Sequence, residues 1–349
     1  ENHPLRRDLT EHLELNDKLA RRISGMKGKE KGLAHRELNR GWKEVRRIEG
    51  QMRDDILNRA QVLCCTCIGA GHVLLDGRRF SRVLLDEATQ ATEPASLVPL
   101  VRGARQIVLV GDHRQLPPTV ISQRAEKGGL RRSLFERLAK MGIEPMLLDT
   151  QYRMHPAISA FPNETFYEGR LIDGIEAAER PAPAGLLWND WEAPIVFLPL
   201  KGGEVLSPDG ASKENPAEAG WIARLLEGLL EAGDLAQKDI GIITPYAGQV
   251  RAIRDAIPER YDSVEVRTVD GYQGREKEVI LFSCVRSNDD GNVGFLADSR
   301  RLNVALTRAR RGLIVVGDPD TLRSDETWSA WLAHIRSRNL EAWHLLGMA

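Results

Sequence analysis

PIVFLPLKGGEVLSPDGASKENPAEAGWIARLLEGLLEAGDLAQKDIGIITPY, residues 194–246, sets two short apolar runs on either side of an amphipathic stretch. PIVFLPL and DIGIITPY have the length and β-branched content of buried strands, while AEAGWIARLLEGLLEAG spaces its apolar residues for one face of a helix. Strand, helix, strand is the unit from which parallel sheets are assembled. The same texture continues in both directions. QVLCCTC, RVLLDE, QIVLVGD and MLLDTQYR precede this stretch, VEVRTVDG, EVILFSCV and GLIVVGD come after it, and SLFERLAKMG is another amphipathic segment. Runs that are apolar throughout suit strands covered on both faces. The expected class is α/β, a mostly parallel sheet covered by helices.

Upstream of residue 60 the pattern differs. Leu9 and Leu13, Leu19 and Ile23, then Leu38, Trp42, Val45, Met52 and Ile56 recur at helical intervals, and GMKGKEKG (Gly25 to Gly32) interrupts them. An antiparallel helical hairpin is expected. Residues 1–60 hold 15 Lys and Arg against 11 Asp and Glu, the balance of a solvated charged pair, with a nucleic-acid clamp as the alternative. Near the other end, Trp328, Trp331 and Ile335 form a stripe expected to pack on the core. Residues 177–194 and 201–216 read as surface excursions.

With 349 residues, 42% hydrophobic and 28% charged, the chain has the composition of a folded protein of more than one lobe. A formal net charge of -1 provides no bulk attraction for nucleic acid, so such a partner needs a local basic groove. Of four cysteines, three are Cys64, Cys65 and Cys67, which is no spaced disulfide framework and argues for a reducing compartment. Alternate strand residues face opposite ways, so these three read as buried strand cysteines rather than zinc ligands. No apolar run is long enough to span a bilayer and ENHPLRRDLT lacks a secretory apolar region, so no membrane is expected.

The chemistry gathers at strand ends. In LLDEATQATEP an apolar run stops at Asp86 and Glu87, a pairing suited to a Mg²⁺-nucleotide site. In GDHRQLPPTV, Gly111 permits a sharp exit, Asp112 and Gln115 offer a carboxylate and an amide, and Pro117 and Pro118 stiffen the backbone after them. In open α/β sheets, ligands bind beyond such strand ends. A phosphate loop should face them, yet no G-x-x-x-x-G-K-[ST] occurs in the 349 residues, and Gly25-Met-Lys-Gly28-Lys29-Glu30 has the wrong spacing.

Taken in order, LLDEATQATEP, VLVGDHRQLPP, QYRMHPAISAFPNETFYEG, TVDGYQGREKEVILFSCVRSN and GFLADSRRLNVALTRAR resemble the motifs of superfamily 1 helicases of the up-frameshift, nonsense-mediated decay type, from about Val62 to Asp318. The resemblance implies two RecA-like lobes, the first incomplete, with the hairpin as a helical insertion: residues 1–60, 61–148 and 149–349. It implies ATP and Mg²⁺ as cofactors. Asp86 becomes the Mg²⁺-side carboxylate, Glu87 the residue that aligns the attacking water, and Gln115 the γ-phosphate sensor. Arg153 and Arg308 become cationic fingers, a role in which a planar guanidinium binds two equatorial oxygens at once. Tyr152 would stack on adenine, where the residues alone suggest a buried strand-end tyrosine. Gly274 and Glu276 would lie at ribose and phosphate, with a surface ion pair as the alternative for Glu276.

Thr66, Gly69 and Gly71, with Thr268, Val269 and Asp270, would follow a nucleic-acid backbone without reading sequence. RRLNVALTRARR reads as one helix, with Leu302, Leu306 and Ala309 on one face and Arg301 and Arg308 on another. The expected partner is single-stranded RNA, with DNA left open, and RNA-surveillance proteins engaged through regions outside this chain. A cytoplasmic or nuclear monomer is expected. So is a chain that is the C-terminal part of a longer helicase and handles ATP poorly alone. The alternative is a nucleic-acid-binding or scaffolding remnant.

Overall fold

The computed structural model describes residues 3–346, and their contacts form two compact units, Glu1–Leu75 and Asp76–Ala349. In the first, α1 (Arg6–Ile23) and α2 (Gly28–Arg59) pack as a hairpin. Ile23, Ala34, Val45 and Ile48 are buried between them, and Gly41 lies where a Cβ would overlap the Asn16 side chain. Gly28 enters α2 at φ +60, a conformation open to glycine.

Residues 61–67 form no strand, contrary to the reading of QVLCCTC. Cys64 and Cys65 are exposed, Cys67 is half-buried, and all are free thiols. A strand needs a neighbour to receive its backbone groups, and the described residues of this unit contain none. The chain instead turns through short 3₁₀ segments at Gly69–Gly71 and Val73–Leu75.

The second unit opens with β1 (Arg82–Leu85), α3 (Glu93–Leu100) and β2 (Gln106–Leu109), after which come α4 (Gln123–Lys127) and α5 (Leu134–Lys140). β1 and β2 pair in parallel with Leu85 opposite Leu109. Next are β3 (Thr150–Gln151), α6 (Pro156–Tyr167) and β4 (Ile172–Asp173). Only Thr150 and Gln151 of MLLDTQYR find an edge, that of β4, so Met146 and Leu148 stay exposed outside any strand.

The chain continues as β5 (Ile195–Pro199), β6 (Val205–Leu206), β7 (Lys213–Glu214), α7 (Pro216–Glu231), β8 (Ile240–Thr244), α8 (Ala247–Ala256), β9 (Glu265–Thr268) and β10 (Lys277–Ser283). It closes with α9 (Ser299–Leu306), β11 (Ala309–Gly317), α10 (Pro319–Leu322), α11 (Glu326–Ser337) and α12 (Trp343–Leu346). Five strands form one sheet in the order β5-β11-β10-β8-β9, every pairing parallel. Both faces are covered, as the apolar runs require. Phe197, Phe282, Trp328 and Trp331 pack on one, while Val196, Leu198, Ile222 and Ile314 pack on the other.

The Trp328, Trp331 and Ile335 stripe of α11 is buried in that core, with Trp328 stacked on Phe282 at 6.0 Å. Residues 177–194 are less of an excursion than they read. Trp188 is buried against Gly312 and its Nε1 donates to Pro183 O at 2.7 Å, although Trp191 is exposed. Residues 201–216 carry the small antiparallel pair β6 and β7.

Candidate functional site

At the end of β1 the chain leaves the sheet through a strained turn. Glu87 sits at φ +51, a region that residues with a Cβ seldom adopt. The turn is held by its own bonds. Ala88 N–H donates to Val110 O at 2.7 Å, Glu87 N–H to Asp86 Oδ1 at 3.0 Å, and Gln90 Nε2 to Glu87 Oε2 at 2.6 Å. Both carboxylates are exposed at the carboxyl edge of the strand.

The loop after β2 lies directly alongside. A Cβ on Gly111 would stand 3.0 Å from Thr89 N and 3.1 Å from Ala88 N, so glycine allows the two loops to touch. Asp112 then organises its own loop, accepting Arg114 N–H on Oδ1 at 2.8 Å and Gln115 Nε2 on Oδ2 at 2.9 Å.

Two arginines approach this edge. Arg153, just past β3, donates from Nε to Glu276 Oε2 at 2.5 Å and from Nη1 to Thr307 O at 3.2 Å. Arg308 is 2% exposed. Its Nε donates to Val304 O at 3.0 Å, and its Nη2 to Thr307 Oγ1 at 2.8 Å and Gln115 Oε1 at 3.4 Å. His155 N–H donates to Arg310 O at 2.8 Å, tying the segments that carry the two arginines.

Arg308 is not on a helix. The pattern in RRLNVALTRARR predicts a helix through it, but α9 stops at Leu306, where Thr307 Oγ1 bonds back to Asn303 O at 2.7 Å. β11 takes over at Ala309 by pairing with Lys277 of β10, so sheet register overrides helical periodicity. Arg301 consequently shares no face with Arg308 and pairs with Asp270, at 3.1 and 3.3 Å.

Cationic and acidic groups share this edge. Burial, then the nearby Arg153, pushes Arg308 down to about 10, with Tyr167, Glu87 and Asp112 partly restoring it. It therefore stays charged at neutral pH. Among the described residues it makes no ion pair, and its guanidinium is held by Val304 O, Thr307 Oγ1 and Gln115 Oε1. Burial would raise Glu276, but the Arg153 bond and the charges of Arg153, Arg310 and Arg308 hold it below the usual carboxylate range.

Tyr152 is 66% exposed rather than buried, and its ring lies across Gly174, where a Cβ would overlap it. Gly274 has φ +73 with nothing near its notional Cβ, so backbone conformation rather than space calls for glycine. Asp86 and Glu87 suit Mg²⁺ as it is usually bound with nucleotides, by one or two carboxylates plus phosphates and water. Among the described residues no group of three or more His, Cys, Asp or Glu fits a metal ion by itself.

The residues read as a nucleic-acid track share a local device. Thr268 Oγ1 accepts Gly271 N–H at 3.3 Å, and in the first unit Thr66 Oγ1 accepts Gly69 N–H at 2.9 Å, so each threonine hydroxyl binds the backbone three residues on, within a 3₁₀ turn. Asp270, Gly69 and Gly71 lie on these turns. Val269 does not fit the track. It is 1% exposed in the core, and its N–H and C=O are taken by Thr244 O and Tyr272 N–H.

Sequence reasoning gave no role to Tyr167, whose hydroxyl joins Asp112 at 2.6 Å, or to Asn303, which joins Tyr167 at 3.0 Å. Tyr167 stands within QYRMHPAISAFPNETFYEG, but nothing local to that motif points to Asp112.

Two family profiles, both described as AAA domain, match the chain over residues 6–123 and 130–320. The chain belongs to the AAA domain family. This AAA domain chain is 44% identical over 304 residues to the regulator of nonsense transcripts 1 homolog of Neurospora crassa, covering 85% of this chain and 28% of that protein. It is 44% identical over 300 residues to regulator of nonsense transcripts 1 of Dictyostelium discoideum, covering 84% and 22%. With the ATP-dependent helicase NAM7 of Saccharomyces cerevisiae the identity is 43% over 304 residues, covering 85% and 31%. The resemblance to the nonsense-decay helicases is thereby borne out. The chain spans 22% to 31% of the length of these relatives.

Proposed function

We propose that the protein is an ATP-dependent helicase or translocase acting on single-stranded RNA, in RNA surveillance of the nonsense-mediated decay kind. The observation that carries this reading is the buried Arg308, without an ion pair among the described residues, reaching Gln115 at 3.4 Å, with Arg153 converging on the same edge. A γ-phosphate is the anion that such a pair of guanidinium groups suits. The names of the relatives, regulators of nonsense transcripts and ATP-dependent helicases, support the same assignment.

In this reading Asp86 holds the Mg²⁺ that accompanies ATP, Glu87 aligns water, and Gln115 senses the terminal phosphate. Arg153 exchanges Glu276 for phosphate oxygen, Tyr152 stacks on adenine, and Gly274 and Glu276 lie along the ribose and phosphates. Thr66, Gly69 and Gly71, with Thr268 and Asp270, follow the RNA backbone. RNA-decay proteins are the expected partners, the protein works as a monomer, and the cytoplasm is its place of action. Among the described residues no helix is long and apolar enough to cross a membrane.

The test is hydrolysis by the intact protein, with and without Mg²⁺ and single-stranded RNA. Mg²⁺-dependent turnover stimulated by RNA is expected. RNA binding without stimulated turnover would replace this reading with that of a binding remnant. The 349 residues contain no phosphate loop, so by themselves they are expected to turn over ATP poorly.

A further inference from the structure

The end of α6 carries a hydrogen-bonded hub that the roles above leave unused. Tyr167, the last residue of the helix, donates its hydroxyl to Asp112 Oδ2 at 2.6 Å and accepts from Asn303 Nδ2 at 3.0 Å. The same Asp112 oxygen accepts Gln115 Nε2 at 2.9 Å, while Gln115 Oε1 faces Arg308 Nη2 at 3.4 Å. Asn303 Nδ2 also donates to Arg114 O at 3.0 Å, inside the same loop.

The chemistry of an amide makes this arrangement consequential. Its two ends differ, since nitrogen donates two hydrogens and oxygen only accepts. A carboxylate oxygen can bond only the nitrogen end, so Asp112 dictates which way Gln115 lies. With Nε2 on Asp112, the second N–H is left for a phosphate oxygen, and Oε1 is turned to the guanidinium of Arg308. A flipped amide would set a carbonyl against the phosphate. Asp112 can impose this orientation only while it is itself held, and among the described residues outside its own loop it is Tyr167 that holds Oδ2.

We propose that Tyr167 is a positioning residue for the nucleotide site: by fixing Asp112 it fixes the orientation of the Gln115 amide. α6 begins shortly after Arg153 in the chain, and Asn303 lies on α9 just ahead of Arg308. The hub therefore registers the sensor loop against both arginine-bearing segments. The inference deepens the ATPase reading and rests on it.

Tyr167→Phe removes one oxygen and keeps the ring packed on the core. In the intact protein the thermal midpoint and the KM for ATP should stay near wild type, while kcat of RNA-stimulated hydrolysis falls about tenfold. An unchanged kcat would overturn the proposal, as would a lowered midpoint with KM and kcat shifted together, the mark of a packing role. A readout independent of turnover is the side-chain amide of Gln115 in protein labelled with ¹⁵N-glutamine. Its signals should move in Y167F while those of Gln249, bonded elsewhere to Asn215 O and Ser283 Oγ, stay in place. An unmoved Gln115 amide would overturn the proposal. A wild-type protein that does not hydrolyse ATP would remove the functional reading, with the Gln115 amide still deciding the positioning role.

Discussion

Glu87 occupies a backbone conformation that costs roughly 1 kcal/mol or more for a residue with a side chain, and the hydrogen bonds of the turn hold it there. Strain of this kind persists where the surroundings over-determine it, and here it sets a carboxylate beside the loop bearing Gln115. Glu87→Gln tests the role proposed for it in the intact protein. Mg²⁺-ATP should still bind with nearly unchanged affinity, because the charge of Asp86 remains. Turnover should fall by roughly 10² to 10⁴, the usual worth of a positioned acid or base. Steady-state hydrolysis together with nucleotide binding measures both, and wild-type turnover would remove Glu87 from the reaction. Arg308 shows the same economy of geometry. Burial weakens its hold on a proton without releasing it, so in the proposed role it offers a full positive charge in a planar fork that lysine does not reproduce.

Elements are secured to one another by buried polar groups, and the junction of α7 with β10 turns on Glu218. This fully buried carboxyl, in the first turn of α7, accepts Ser283 Oγ at 2.6 Å, Val285 N–H at 2.8 Å and Asn215 Nδ2 at 3.3 Å. Val285 has φ +71, an unfavourable value for a β-branched residue, so the bond from its N–H steadies the exit from β10. Burial pushes Glu218 up to about 8; Ser283 and Val285 counter it, and the charge of Asp318 adds to it. Proton binding sets the sign. Between the ordinary value of 4.5 and about 8, the folded state keeps a proton that the unfolded chain has released. Stability should therefore decline as pH rises through that window, by roughly a few kcal/mol, and level off above it. Glu218→Gln cannot ionise and should flatten the decline in a series of denaturant titrations across pH. A wild-type slope in the variant would assign the dependence to other groups.

Across the 349 residues, a net charge of -1 provides no bulk attraction for nucleic acid, so the proposed RNA partner would have to be selected by local contacts. In the proposed reading the turn at Thr66 and the turn at Thr268 each meet a nucleic-acid backbone, where only the 2′-hydroxyl distinguishes RNA from DNA. One or two hydrogen bonds to it, about 1 kcal/mol each, would give RNA a roughly five- to thirty-fold advantage. Competition between oligonucleotides of matched sequence measures this, and equal competition by DNA would remove the preference for RNA.

What the sequence determined by itself was whatever a local window expresses. Continuous apolar runs required strands buried on both faces, which is the sheet from β5 to β9, and helical spacing required the buried Trp328, Trp331 and Ile335 stripe. Asp86, Glu87 and Gln115 could be set at one sheet edge because consecutive parallel strands end together. The tertiary structure alone decided the rest. QVLCCTC and MLL had strand composition but no edge to receive them, and Arg308 left its helical pattern because β11 paired with β10 first. Tyr167 meets Asp112 across 55 positions and Asn303 across 136, and Ser283 meets Glu218 across 65. No periodicity spans such separations. Those contacts exist because packing the sheet and its helices removes water from groups that must then find one another.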